Sequence, residues 1–385
     1  MNLYNKIFIA SYLNRHFYFY FMKIVNVVGT RPNFIKIAPL VSEMKKHNEI
    51  KQILVHTGQH YDDEMSKFFF DDLFIPKPDI NLGICSASDI TQTAKIMLGF
   101  EKVLLKERPD LVVVVGDVNS TLAAALVAVK CGIKVAHVEA GLRSFDATMP
   151  EEVNRLLTDQ IADFLFTTEK SGNKNLINEG ISKDKIFFVG NVMIDSLLSH
   201  KEKAQKSKIL SKLKLAENNY AVLTLHRPSN VDNKKSLEYI LGILNEIQKN
   251  IKIVFPVHPR TLKNLKNFNL LDQIKGQKNI ILTEPIGYLD FMKLMINSRF
   301  VLTDSGGIQE ETTVLGIPCI TMRNNTERPV TVEQGTNILV STKKTKIIQA
   351  ANNLIKKVSF KPKIPPLWDG KAAQRIVSIL LKSIR

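Results

Sequence analysis

The segment DSGGIQEE (304–311) concentrates groups that together suit a phosphorylated ligand. A β-branched run, RFVLT, ends just before Asp304 and Ser305. Gly306 and Gly307 then let backbone approach a ligand closely, and Ile308 onward reads as a helix. Unpaired N–H groups at such a helix start, reinforced by its dipole, bind diphosphate well. Glu311, a turn further on, has the acceptors that ribose hydroxyls need. A plain strand–turn–helix corner would look similar, so the rest of the chain must decide. Arg31, Lys36, His226, His258, Arg260 and Arg328 all stand at or just beyond other apolar runs. One alone would be a surface charge or a satisfied histidine. As a set they match a substrate carrying about two negative charges, which arginine can clamp through paired hydrogen bonds. Asp117, Glu139, Glu151 and Glu152 form an acidic set suited to general acid and base work. Two of these positions have structural readings as well. Pro150 followed by glutamates favours a helix start, and Asp117 could cap a helix beginning near Ser120.

Short strands must hold these groups. KIVNVVGT, KQILVHTG, LVVVVGD, IKVAHVEAG and DFLFTT are continuous apolar runs in the first half. Helical segments such as FIKIAPLVSEMKK, TAKIMLGFEKVLLKE and STLAAALVAVKCG separate them. AVLTLHRP, KIVFPVHPR, NIILTEP, RFVLTDSGG and GIPCITMR repeat the pattern in the second half. Continuous rather than alternating apolar runs predict parallel strands covered by helices on both faces. The chain therefore reads as two doubly wound α/β domains in tandem, which bind ligands beyond the carboxyl ends of their strands. The polar, basic stretch 196–219 marks the boundary, giving domains over 22–195 and 196–369. DGKAAQRIVSILLKSIR closes the chain as an amphipathic helix over 370–385.

Composition narrows the class. At 385 residues, 44% hydrophobic and 23% charged, the chain suits a soluble two-domain protein. No apolar stretch is long enough to span a bilayer. Residues 1–21 read as an extension outside the fold, because Asn14-Arg15-His16 interrupts the apolar run of a would-be signal peptide. Cys85, Cys131 and Cys319 lie far apart, which disfavours disulfides and zinc and points to the cytoplasm. The +16 net charge falls on polar lysine-rich segments without aromatic interleaving, so no nucleic-acid partner is expected. There is no GxGxxG after a strand, no GxxxxGK[ST], no GxSxG elbow and no HExxH. No cofactor and no metal are expected.

The motifs GTRPNFIKIAP, HTGQHYD, GDVNSTLA, HVEAGLRS, MPEEVNR, HRPSNVD, PVHPRT, LTDSGGIQEE, MRNNTERPVT and DGKAAQRI occur in the order found in non-hydrolysing UDP-N-acetylglucosamine 2-epimerases. The chain resembles that family from Met22 to its C-terminus. The resemblance implies a glycosyltransferase-B-like α/β fold: two Rossmann-like domains facing across a cleft, usually as a homodimer, with the last helix crossing back to the first domain. It places Arg31, Lys36, Asp117, Glu139, Glu151 and His226 at catalytic or sugar-side positions. Phe291, Ser305, Gly306, Gly307, Glu311 and Arg328 take UDP-binding ones, and His258 joins the substrate-binding set. It also implies elimination of UDP from C1 as a base removes the C2 proton, then re-addition through a 2-acetamidoglucal. Asn33, Asp62 and Ser229 depart from the family pattern, which leaves an activating second UDP-GlcNAc site open.

Rival readings share much of this site. A related epimerase could act on a modified UDP-sugar of the diacetamido-uronic acid type, although MRNNTERPVT favours plain UDP-GlcNAc. A hydrolysing epimerase would release the free sugar. A glycosyltransferase would need an acceptor groove but not this carboxylate set, and a UDP-sugar sensor would need no base.

Overall fold

The computed structural model describes residues 21–58, 77–85, 88–356 and 363–383. Most of the expected N-terminal extension, together with Gln59, His60, Tyr61 and Asp62, lies outside the described residues.

Among the described residues, the chain forms two all-parallel sheets, one of seven strands and one of six. The first has seven strands in the order β3-β2-β1-β4-β5-β6-β7: β1 Met22–Val28, β2 Ile50–His56, β3 Ile80–Asn81, β4 Leu111–Val115, β5 Lys134–Ala140, β6 Phe164–Thr167 and β7 Ile186–Phe188. The second has six, in the order β10-β9-β8-β11-β12-β13: β8 Tyr220–Thr224, β9 Lys252–Pro256, β10 Ile280–Thr283, β11 Phe300–Thr303, β12 Cys319–Thr321 and β13 Asn337–Leu339. The central β4 is Leu followed by four valines, all buried. β-Branched side chains suit a pleat packed on both faces. Both strand orders reverse direction beside their first strand, between β1 and β4 and again between β8 and β11. Such reversal points open a crevice beyond the strand ends, where ligands of this architecture bind. β3, β7 and β13 have two or three residues each and are not among the runs read as strands.

The first part of the stretch 196–219 belongs to a helix, Val192–Gln205, which packs against both halves. It touches the helices Arg31–Met44, Tyr288–Ile296 and Gly306–Leu315. The Ser196 hydroxyl donates to the Ile35 carbonyl at 2.5 Å. One apolar cluster accordingly runs through Ile37, Leu40, Ile194, Leu197, Tyr288, Met292 and Ile376. A polar sequence conceals this, because only one face of the helix is apolar.

The last helix, Ala372–Ser383, packs on Arg31–Met44 and Val192–Gln205. The Asp195 carboxylate accepts from the Ala372 and Ala373 N–H groups at 3.1 and 2.7 Å. Buried Trp368 donates its indole N–H to the Thr168 carbonyl at 2.9 Å. Gly190 sits at φ +89°, and a Cβ there would collide with the Leu367 carbonyl, so only glycine lets these two segments cross.

Removing the Asp195 cap should detach the last helix from its seat. Asp195→Ala is expected to cost ~1–2 kcal/mol, read as a lower urea midpoint; an unchanged midpoint would dismiss the cap.

Candidate active site

Lys36, Asp117 and Glu139 converge at the first reversal point. The helix Arg31–Met44 follows β1 and has Pro32 in its first turn. Arg31 holds its first position, and Lys36, a turn on, is buried. Asn33, one of the departures from the family pattern, fixes the turn. Its carbonyl accepts from the Thr30 N–H at 3.1 Å, and its amide donates to the Val115 carbonyl at 2.8 Å. The β5 strand shifts register between Val138 and Ala140, and the intervening Glu139 lies at φ +76°. A left-handed glutamate within a strand is strained, and such strain concentrates where a side chain must be aimed. Here it aims Glu139 at Lys36, with which its carboxylate is ion-paired. Below them, buried His137 bonds the Gly116 carbonyl through Nε2 at 2.8 Å and Asp159 through Nδ1 at 2.7 Å.

Asp117 follows β4 and is gripped by Arg155, whose Nε and Nη2 reach Oδ2 at 3.0 and 2.7 Å. Burial pushes its carboxyl up, but Arg155, Lys36 and Arg328 more than offset this and hold it below the ordinary range. It is therefore ionised at neutral pH. The adjacent glutamates of the helix Pro150–Ile161 part company. Glu151 is exposed, whereas Glu152 is buried. Glu152 accepts from the Ser144 and Phe145 N–H groups at 2.9 Å each and from Arg155 at 2.5 Å, which is a structural duty.

At the second reversal point, buried Asp304 organises the loop after β8. It accepts from the His226 and Arg227 N–H groups at 3.1 and 3.0 Å and from Asn230 at 3.1 Å. It also meets His226 Nδ1 at 2.9 Å. Burial raises the Asp304 carboxyl, but the His226 contact and these N–H donors outweigh it and keep it low. Ser305 stands, in extended backbone, at the residue just before the helix Gly306–Leu315. A Cβ on Gly306 would lie 2.6 Å from Arg328 Nη1, so glycine allows the guanidinium to lie against the helix start. Buried Glu311 accepts from the Tyr288 hydroxyl at 3.0 Å. Phe291, on the same helix as Tyr288, is half-buried and packs against the cluster that also takes Ile308. His258 is exposed and caps the helix Pro259–Asn267, its ring 5.6 Å from that of His226. Arg260 stands apart from this grouping. It is half-exposed and forks onto Asp232, with Nε 2.8 Å from Oδ1.

The two reversal points meet. Arg328, from the loop after β12, places Nη2 2.6 Å from Glu139 Oε1, while its Nε holds Glu310 at 2.6 Å. The Asn325 amide donates to the Ser144 carbonyl at 3.2 Å, and Arg155 lies 3.8 Å from Glu327. Glu327 in turn binds Arg323 at 2.7 Å and Arg227 at 3.2 Å. Sequence reasoning gave no role to Arg155, Glu310 and Glu327, although all three stand inside the quoted motifs. The available signal was position: each lies within four residues of a group already singled out. Among the described residues, no cluster of His, Cys, Asp or Glu could hold a metal ion, and no helix is long and apolar enough to cross a membrane.

Known proteins resemble this chain in sequence and fold. The model of a family described as UDP-N-acetylglucosamine 2-epimerase matches residues 42–381. The chain belongs to the UDP-N-acetylglucosamine 2-epimerase family. Members of this family are isomerases. A UDP-N-acetylglucosamine 2-epimerase of Methanocaldococcus jannaschii is 48% identical over 93% of this chain and 99% of its own. The crystal structure of the M. jannaschii UDP-GlcNAc 2-epimerase in complex with UDP-GlcNAc and UDP superposes with a TM-score of 0.89 at 48% identity. That match covers 94% of this chain and all of the other. A UDP-2,3-diacetamido-2,3-dideoxy-D-glucuronate 2-epimerase of Pseudomonas aeruginosa is 40% identical over 94% of this chain and 100% of its own.

Glu169, buried after β6, has a carboxyl raised to about 7, chiefly by burial and further by Glu310 across the cleft. A folded-state value above the unfolded one means that this group's contribution is full below about 4.5 and lost as pH rises through about 7. Glu169→Gln, which stays neutral, should raise the melting temperature by roughly 1–4 °C at pH 8 and by little at pH 5. An equal change at both values would refute the titration.

Proposed function

We propose that this enzyme interconverts UDP-N-acetylglucosamine and UDP-N-acetylmannosamine without hydrolysing them. The observation that carries this reading is the Arg328–Glu139 contact, which joins the glycine turn of one half to the strained carboxylate of the other. A UDP-sugar whose diphosphate lay at Ser305, Gly306 and Gly307 would present its sugar ring to Glu139, Asp117 and Lys36. The C2 hydrogen is not next to a carbonyl, so simple deprotonation would leave an unstabilised carbanion. Expelling UDP from C1 as a base takes the C2 proton removes that problem. The C2–H electrons form the C1=C2 double bond of a 2-acetamidoglucal, and the C1–O pair leaves with UDP. Re-addition of UDP, with a proton delivered to the opposite face of C2, completes inversion.

Each group has a physical task in this scheme. Arg328, Lys36, Arg31 and His226, with the N–H groups of the helix start, stabilise charge developing on the departing diphosphate. Glu311, fixed by Tyr288, suits the ribose hydroxyls, with Phe291 beside the nucleotide and His258 at the margin. Asp117, Glu139 and Glu151 supply the acid and base. The cross-cleft contacts keep water from the glucal. A cytoplasmic homodimer without cofactor belongs to the same reading. The M. jannaschii relative, at 48% identity, supports plain UDP-GlcNAc over the diacetamido-uronate of the 40% relative.

The decisive measurement is NMR of the sugar after incubation in deuterated water with UDP-GlcNAc, without NAD or added metal. UDP-ManNAc deuterated at C2 is the expected product. Free ManNAc with UDP would mean hydrolysis, an unlabelled C2 would remove the epimerase assignment, and turnover only of the diacetamido-uronate would reassign the substrate. Asp117→Asn should abolish C2 labelling while leaving UDP affinity within about three-fold; parallel loss of both would make Asp117 structural.

A further inference from the structure

Arg155 closes the motif MPEEVNR without having been given a role there, yet among the described residues it is bonded to both Asp117 and Glu152, two of the candidate acidic groups. We propose, building on the acid/base role of Asp117 above, that Arg155 is the positioning residue for Asp117. We further propose that Glu327, reaching from the opposite side of the cleft, makes that hold depend on closure.

The geometry on the Asp117 side is one-sided. Arg155 is buried on the helix Pro150–Ile161, and both of its contacts to Asp117 fall on Oδ2. Among the described residues, Oδ1 has no hydrogen-bond partner, and the side chain stays 23% exposed. Asn154, the preceding residue, donates to the Asp117 carbonyl at 2.9 Å and to Asn119 at 3.3 Å. One helical turn thus fixes Asp117 by its backbone and by one carboxylate oxygen, leaving the other oxygen for a proton. Arg155 is itself anchored by Nη1 on Glu152, whose carboxylate is tied to the Ser144 and Phe145 backbone.

Glu327 adds the dependence on closure. It is buried, and its Oε1 stands 3.8 Å from Arg155 Nη2 while also meeting Arg323 and Arg227. Glu327 also brings a second negative charge up to the Arg155–Asp117 pair, and a like charge nearby opposes ionisation of Asp117 and offsets part of what Arg155 supplies. Closure therefore loosens the hold of Arg155 on Asp117 and makes the carboxylate a stronger base when the substrate is enclosed. Opening removes Glu327 and leaves Asp117 more fully neutralised. The other charges facing Asp117 are Lys36, Arg328 and Glu139, with His137 beneath Gly116. All remain in place in the variants below.

The test uses the full chain, labelled with ¹³C at the aspartate carboxyl carbon, the Asp117 signal being assigned by its loss in Asp117→Asn. Its titration is followed with UDP present, alongside the pH dependence of C2 deuterium exchange from UDP-GlcNAc. Arg155→Gln should raise the Asp117 midpoint, and Arg155→Lys should raise it less. Glu327→Gln should lower it, because a negative charge near Asp117 is then gone. The acid limb of kcat/KM should move in the same directions, with kcat in Arg155→Lys reduced about ten-fold and UDP affinity within about three-fold. If Arg155→Gln does not fold, Arg155→Lys and Glu327→Gln still give opposite signs. Midpoints that stay put, or move together in both variants, overturn the proposal, as does equal loss of kcat and UDP affinity with unmoved limbs. Shifts of the expected sign in a protein whose wild type shows no C2 exchange would instead sink the epimerase reading and leave Arg155 as the residue that positions Asp117.

Discussion

Most of the site depends on one buried carboxylate with a cation on either side. Glu139 is held between Lys36 of its own half and Arg328 of the other, and all three are almost wholly enclosed. A buried charge without a partner costs several kcal/mol or more, so each of these groups constrains the others. The left-handed backbone at Glu139 has the same origin. The strand gives up regular geometry there because its side chain must turn toward both cations. Glu310 extends the chain of charge behind Arg328, and Glu327 draws Arg323 and Arg227 into it. Much of the polar interior between the sheets is therefore a connected ionic network. Such networks are strong when complete and costly when broken.

How legible this was in the sequence varied with the kind of interaction. The strands with four or more residues were visible as Val- and Ile-rich runs, and the glycine turn at 306–307 was visible as a break between strand and helix. Both are local. The clustering of ionisable groups at strand ends was visible too, because parallel sheets put their crevices there. The helix Val192–Gln205 was hidden: its residues look like a polar linker until Ile194 and Leu197 are seen to face Leu40 and Met292. Arg155 and Glu327 were hidden for another reason. Their importance arises from partners about 40 and 170 positions away in the chain, a separation no spacing rule reaches. The two glutamates after Pro150 show the limit most clearly. They are identical in type and adjacent, yet Glu152 ties down a loop while Glu151 faces solvent.

The family resemblance and the physical reading reach the same residues by different routes. Motif order singles out the glycine turn and the sugar-side carboxylates. The structure adds the reason these are compatible: both sheets reverse their strand order, and the two reversal points are bonded to each other. It also gives Asn33 a local task, since its amide holds the Val115 carbonyl just before Asp117. A carboxylate in its place would have no hydrogen to donate to that carbonyl.

The crossing of Gly190 with Leu367 has a mechanical consequence. The chain passes between the two sheets twice, once through the helix Val192–Gln205 and once on the way to the terminal helix, and these passages touch at Gly190, Leu367 and the Trp368–Thr168 bond. Two straps clasped together behave like a door hung on one pin. They permit rotation about a line through the clasp and resist sliding or twisting. A clasp of this kind favours a single swing over sliding, and that swing would return the same arginines to the same carboxylates.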